Sequence, residues 1–275
     1  MVVTGRQVGE MVLRHGRGEP VGRAVTQPEE PLKAERMNRL SAVGWWALDY
    51  AYAVRRQFAV FGASRPPANW RTGDPDKPEV VLLPGVYEHW SFLRPLGDTL
   101  NAAGHRVVVV HGLGANRLPI AETAARLKRA LARVPAPAAG RVIVGHSKGG
   151  LIGKHLMIGG ADGDAADALG VRGVVAVCTP FAGARRARLF SDPSIRALLP
   201  SDETIVMLGS AASVNSRIVS VFGTYDQHVP DGSALDGATN VRVPVAGHFR
   251  ILGAPETALA VLDGIALLTS PATTA

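Results

Sequence analysis

The chain has 275 residues, 47% hydrophobic and 19% charged, with a net charge of +7; that is enough apolar material for one large core or two small ones. A single cysteine, Cys178, excludes an internal disulfide and any cysteine-based metal cluster, and fits a reducing compartment. The basic charge is scattered and forms no block or nucleic-acid module, and no stretch reads as a signal peptide or reaches the roughly 18 apolar residues of a membrane span, so a cytoplasmic protein without a nucleic-acid partner is expected.

In chain order, residues 1–31 are polar and aperiodic and read as a loose arm. A helical pattern runs from about Leu32 to Phe61, rich in aromatics (Trp45, Trp46, Tyr50, Tyr52, Phe58, Phe61) in a chain with few of them. Asp49, Arg55 and Arg56 interrupt it. It reads either as a helix packed on the body or as an interfacial helix that sets Trp45, Trp46, Tyr50 and Tyr52 at lipid-headgroup depth. Residues 1–65 are therefore taken as an N-terminal extension, and the Pro/Gly-rich residues 66–78 as a linker. From residue 79 to 275, strands alternate with helices. Strands are expected at 79–83, 106–110, 141–144, 173–178, 217–222 and 241–245, and helices at 91–103, 119–134, 148–158 and 255–268. Near-continuous apolar strands between helices predict an α/β fold with a doubly wound, mostly parallel sheet, covered on both faces. Ligands then bind beyond the carboxyl ends of the strands. A short cap is expected at about 181–216.

The densest signal is Arg141–Gly153, RVIVGHSKGGLIG. A short strand runs straight into Gly145-His146-Ser147-Lys148-Gly149 and a helix follows, which is the strand-turn-helix setting of a G-x-S-x-G nucleophile elbow. The turn at Ser147 is so sharp that side chains at 145 and 149 would collide, and glycine stands at both. A serine hydroxyl needs a base, and the base needs a group that fixes its tautomer. Asp226 follows the strand RIVSVF, and His248 follows the last strand. The order Ser147, Asp226, His248 is that of the α/β-hydrolase triad. Asp231 and Asp236 are rival acids and His228 a rival base. An oxyanion hole requires backbone N–H groups. The N–H of Lys148, after the serine, is one candidate, and that of Val86, beyond Pro84-Gly85, is the other.

On these residues, together with Thr179-Pro180 followed by Gly183, the chain resembles the α/β-hydrolases of the bacterial lipase and esterase type over about Glu79 to Leu268. The resemblance implies hydrolysis of a carboxylic ester or lipid through an acyl-enzyme, with no metal or organic cofactor. Acyl transfer and thioester cleavage use the same triad, and a catalytically silent lipid-binding or interaction module is the non-enzymatic alternative. Lys148 departs from the family, where Gln, Met or Leu is usual. His146 is expected to make packing or supporting hydrogen bonds, and Arg185, Arg186 and Arg188 to form a solvated face of the cap. Asp162, Asp164 and Asp167 lack the Gly and distal Glu of a calcium loop, and Gly112 and Gly114 do not complete a dinucleotide fingerprint.

Overall fold

Glu79–Leu83, EVVLL, forms β1, and all of its side chains are buried. Alternate residues face opposite ways, so Val80 and Leu82 enter one core while Val81 and Leu83 enter another. Burying each such side chain contributes about 1.5–3 kcal/mol, which drives the sheet to be covered on both faces. The computed structural model describes residues 39–58, 65–158 and 164–270. Its sheet adds β2 (Val107–Val109), β3 (Arg141–His146), β4 (Val171–Val177), β5 (Ile218–Phe222) and β6 (Thr239–Arg242). All pairings are parallel, in the order β2-β1-β3-β4-β5-β6. The chain builds outward from β1 to β2, then returns to the other side of β1 and continues through β3. The direction of winding thus reverses between β1 and β3, where an open α/β sheet leaves a crevice at the carboxyl ends of its strands.

The helices are α1 (Arg39–Phe58), α2 (Arg94–Ala102), α3 (Ile120–Ala132), α4 (Lys148–Ile158), α5 (Asp164–Ala168), α6 (Pro193–Arg196), α7 (Glu203–Ser210) and α8 (Pro255–Thr269). Helices α2 and α8 cover one face of the sheet, and α3 and α4 the other. Local chemistry sets their ends. Asp192 and Asp202 cap α6 and α7 through backbone N–H groups, and Pro255 starts α8 where a missing N–H leaves nothing unsatisfied. The amino end of the sheet is held by a buried ion pair, Glu79 Oε1 to Arg141 Nε at 2.9 Å, with Arg141 also donating to the carbonyls of Val134, Pro135 and Leu169. It lies at the opposite end from the predicted site. The cap between β4 and β5 consists of the 3-10 turn Arg185–Leu189, α6 and α7.

Strand bounds differ in detail from those expected. The last strand lies at Thr239–Arg242 rather than 241–245, because Pro244 has no N–H for the ladder; beyond it the two segments stay joined by Thr224 N–H to Val245 O and Gly247 N–H to Tyr225 O, each at 2.8 Å. Within the expected linker, Trp70, in the 3-10 turn Ala68–Arg71, is fully buried and donates from Nε1 to Asp98 at 2.9 Å. Residues 1–38, 59–64, 159–163 (Asp162 among them) and 271–275 lie outside the described residues. The expected arm and both ends of the expected first helix therefore fall there. Among the described residues no helix is long and apolar enough to cross a membrane.

Candidate active site

Ser147 sits between β3 and α4 with φ at 52°, a conformation that L-residues rarely adopt. Its N–H donates to Val177 O at 2.8 Å and its carbonyl accepts from Thr179 Oγ1 at 2.9 Å, so β4 holds the strained turn from both sides. A Cβ on Gly145 would come within 2.4 Å of the Gly149 carbonyl carbon, and one on Gly149 within 2.2 Å of Leu83 O. Both glycines are therefore required by close approach of backbone to backbone. The elbow also lies hard against the end of β1, whose Leu83 pairs with Gly145. That register brings the loop Pro84-Gly85-Val86-Tyr87 next to Ser147.

Asp226 and His248 follow the ends of β5 and β6. His248 Nδ1 lies 2.6 Å from Asp226 Oδ2. The other carboxylate oxygen, Oδ1, accepts the N–H groups of His228 at 2.8 Å and Val229 at 3.0 Å. Burial opposes the charged carboxylate, but His248 and these N–H groups override it and hold Asp226 well below the usual carboxylate range. Burial likewise opposes a charged imidazole at His248, and the Asp226 carboxylate overrides it and raises the ring above its ordinary value. His228 packs on His248 with ring centroids 4.9 Å apart and, through burial and that neighbour's charge, is pushed down to about 3. It is a neutral wall beside the pair. Of the rival acids, Asp231 is engaged by Arg185.

Lys148 resolves the departure noted in the sequence. Its side chain is fully buried, and Nζ donates to Asn116 O at 3.0 Å and to Leu118 O. Burial pushes the ammonium down to about 8. Asn116 in turn donates from Nδ2 to Pro84 O at 2.6 Å. The cation is thus spent on the loop after β2, which steadies the loop after β1. His146 makes the supporting bonds expected of it: Nδ1 meets Glu88 Oε1 at 2.8 Å, and Nε2 meets the carbonyl of His248 at 2.9 Å. Glu88 Oε2 accepts Gly85 N–H at 2.7 Å. One buried pair therefore ties the Val86 loop to the backbone of His248.

The aromatic helix is turned inward. Trp45 lies under the Arg250 guanidinium at 4.8 Å, Asp49 is fully buried, Tyr52 rests against Gly253, and Arg56 donates to Ser91 O, a stripe at helical spacing. Trp46 donates to Tyr225 Oη at 3.2 Å and Tyr50 packs on His228 and Phe249. Of the two readings of this helix, packing on the body is the one these contacts support, while Trp46 and Tyr50 remain 38% and 40% exposed. In the cap, Arg186 stacks over Trp46 at 5.5 Å and donates to Gln227 O at 2.8 Å, so it too is engaged rather than freely solvated. Cys178, also at positive φ, is a buried thiol whose ionisation is pushed well upward by burial and by Asp226. With Asp226 and His248 it forms the one cluster of metal-type ligands among the described residues, but the 2.6 Å contact already joins the other two. Sequence reasoning missed Asp49, Glu88 and Asn116. For Asp49 a signal existed: it is the sole acid in α1.

No protein-family model matches the chain, and no curated protein does. Solved structures match widely. A Bacillus licheniformis lipase, BlEst2 in its mature form, superposes with a TM-score of 0.56 at 15% identity, covering 74% of this chain and 96% of that one. The metagenomic carboxyl esterase MGS0156 superposes at 0.51 and 16% identity, covering 75% and 79%. Est1E from Butyrivibrio proteoclasticus superposes at 0.51 and 14% identity, covering 70% and 90%. The fold is the α/β-hydrolase fold. The neighbours carrying it include proteins named as lipases and a carboxyl esterase.

Proposed function

We propose that the protein is a serine hydrolase that cleaves carboxylic esters, including lipid esters, by way of an acyl-enzyme. Two observations support this reading: the 2.6 Å contact of His248 with Asp226, and a serine held at φ 52° next in the chain to His146, which meets the His248 carbonyl at 2.9 Å. Ser147 Oγ attacks the acyl carbonyl and His248 takes its proton on Nε2. Asp226 keeps the other ring proton on Nδ1 and stabilises the imidazolium. The N–H groups of Val86 and Lys148 receive the oxyanion, each contributing on the order of 3 kcal/mol. The tetrahedral intermediate collapses, the C–O bond breaks, and His248 returns its proton to the departing alcohol. Water, deprotonated by the same imidazole, then releases the acid and restores Ser147.

A fluorophosphonate probe is expected to label the wild type stoichiometrically and to leave Ser147→Ala unlabelled. Absence of labelling in a folded wild type would overturn the reading. A p-nitrophenyl ester series then reports acyl-chain preference. The pH profile gives a second check. The base acts only when neutral, and its folded pKa is raised, so kcat/KM is expected to be low at acid pH. It should rise through a limb lying above the ordinary histidine value of about 6.5. A limb below that value would mean that Asp226 is not holding the ring.

A further inference from the structure

We propose that Asp49 is a positioning residue for His248, which makes α1 a working part of the active site; the inference rests on His248 being the general base. Asp49 is completely buried, and a buried carboxylate is costly unless its oxygens are supplied with donors. Oδ1 accepts the N–H groups of Phe249 at 2.8 Å and Arg250 at 2.9 Å. Oδ2 accepts the N–H of His248 at 3.1 Å and Nε2 of Gln227. The four donors belong to two loops, one carrying His248 and one carrying Asp226. A single carboxylate therefore clamps both halves of the pair.

The turn before His248 is shaped around this contact. Gly247 has φ at 114°, and a Cβ there would stand 2.5 Å from Asp49 Oδ1. Without the carboxylate, three consecutive backbone N–H groups lose their acceptor inside the protein. The loop must then move to find water, and the imidazole moves with it. Asp49 also faces His248 as a charge. Around that ring stand the carboxylates of Asp226, Glu88 and Asp49, and the rings of His146 at 4.8 Å and His228 at 4.9 Å. Removing one of the negative charges disfavours the imidazolium.

The test uses the full chain, with p-nitrophenyl acetate and the fluorophosphonate probe as reporters. D49N is isosteric. Its kcat is expected to fall about 100-fold, as for a misplacement near 1 Å, with labelling slowed in step. KM should stay within about threefold, because substrate contacts are untouched. The acid limb of kcat/KM should move to lower pH, a shift that mere loss of stability would not produce. Leu48→Ala, on the exposed side of the same helix, should match wild type. Unchanged kcat and unchanged acid limb in D49N would overturn the inference, even if its thermal midpoint fell. Should D49N fail to fold, Gln227→Met cuts the bridge from the other loop, and a kcat equal to wild type would overturn the inference. A wild type that neither labels nor hydrolyses would sink the hydrolase reading itself, whereas active wild type beside equally active D49N would sink only the role of Asp49.

Discussion

Asp226→Asn is expected to lower kcat by about 10⁴-fold while the protein stays folded. The reason lies in how the side chain is clamped. Oδ1 of Asp226 accepts two backbone N–H groups, from His228 and Val229. An asparagine must offer its carbonyl oxygen to those donors, so its NH2 turns toward His248 Nδ1, where the Oδ2 contact is now 2.6 Å. That donor forces Nδ1 to be the unprotonated nitrogen and places the ring proton on Nε2. A ring in that tautomer cannot accept the proton of Ser147. The substitution keeps the volume and the backbone bonds, so the thermal midpoint should move little. Steady-state kinetics with a p-nitrophenyl ester, alongside a melt, decide the matter. A fall of less than about tenfold would mean that some other group orients the imidazole.

Glu88→Ala should destabilise the fold by about 2–6 kcal/mol, because two buried groups lose their acceptor at about 1–3 kcal/mol each. Glu88 and His146 are both essentially inaccessible. His146 Nε2 faces the His248 carbonyl, which only accepts, so that nitrogen carries a proton. Nδ1 faces the Glu88 carboxylate at 2.8 Å. Alanine leaves His146 Nδ1 and the Gly85 N–H without an acceptor, in the loop that bears Val86. Glu88→Gln should be far milder, about 1 kcal/mol. Its carbonyl oxygen can still accept from Gly85, and its NH2 can donate to a neutral His146. Urea unfolding of the two variants separates these cases. Equal midpoints for both would show that the carboxylate's position, not its bonding, is what the fold needs.

Much of the site is readable because short-range rules govern it. The elbow is a local structure: the glycines at 145 and 149 are demanded by backbone that lies within a few residues, or by the neighbouring strand. The parallel strands announce themselves as apolar runs because both faces are covered. Once the strands are counted, Asp226 and His248 can be read at strand ends, since every parallel strand delivers its following loop to one edge of the sheet.

What supports those residues follows another logic. Asp49 and His248 are 199 residues apart, and Lys148 and Asn116 are 32 apart. A single acid in an aromatic helix and a lysine beside a serine look like exceptions in the linear text. Only the packed chain shows that each is a buried polar group held largely by loop backbone. Chain order and local pattern thus determined the fold class and pointed to the residues proposed to carry the chemistry, because strand-to-loop geometry is periodic and nearest-neighbour. Tertiary structure alone decided which face of α1 is buried, where Lys148 points and what holds the catalytic loops. Those outcomes depend on hydrogen-bond donors brought together from distant segments, and no local pattern encodes such a meeting.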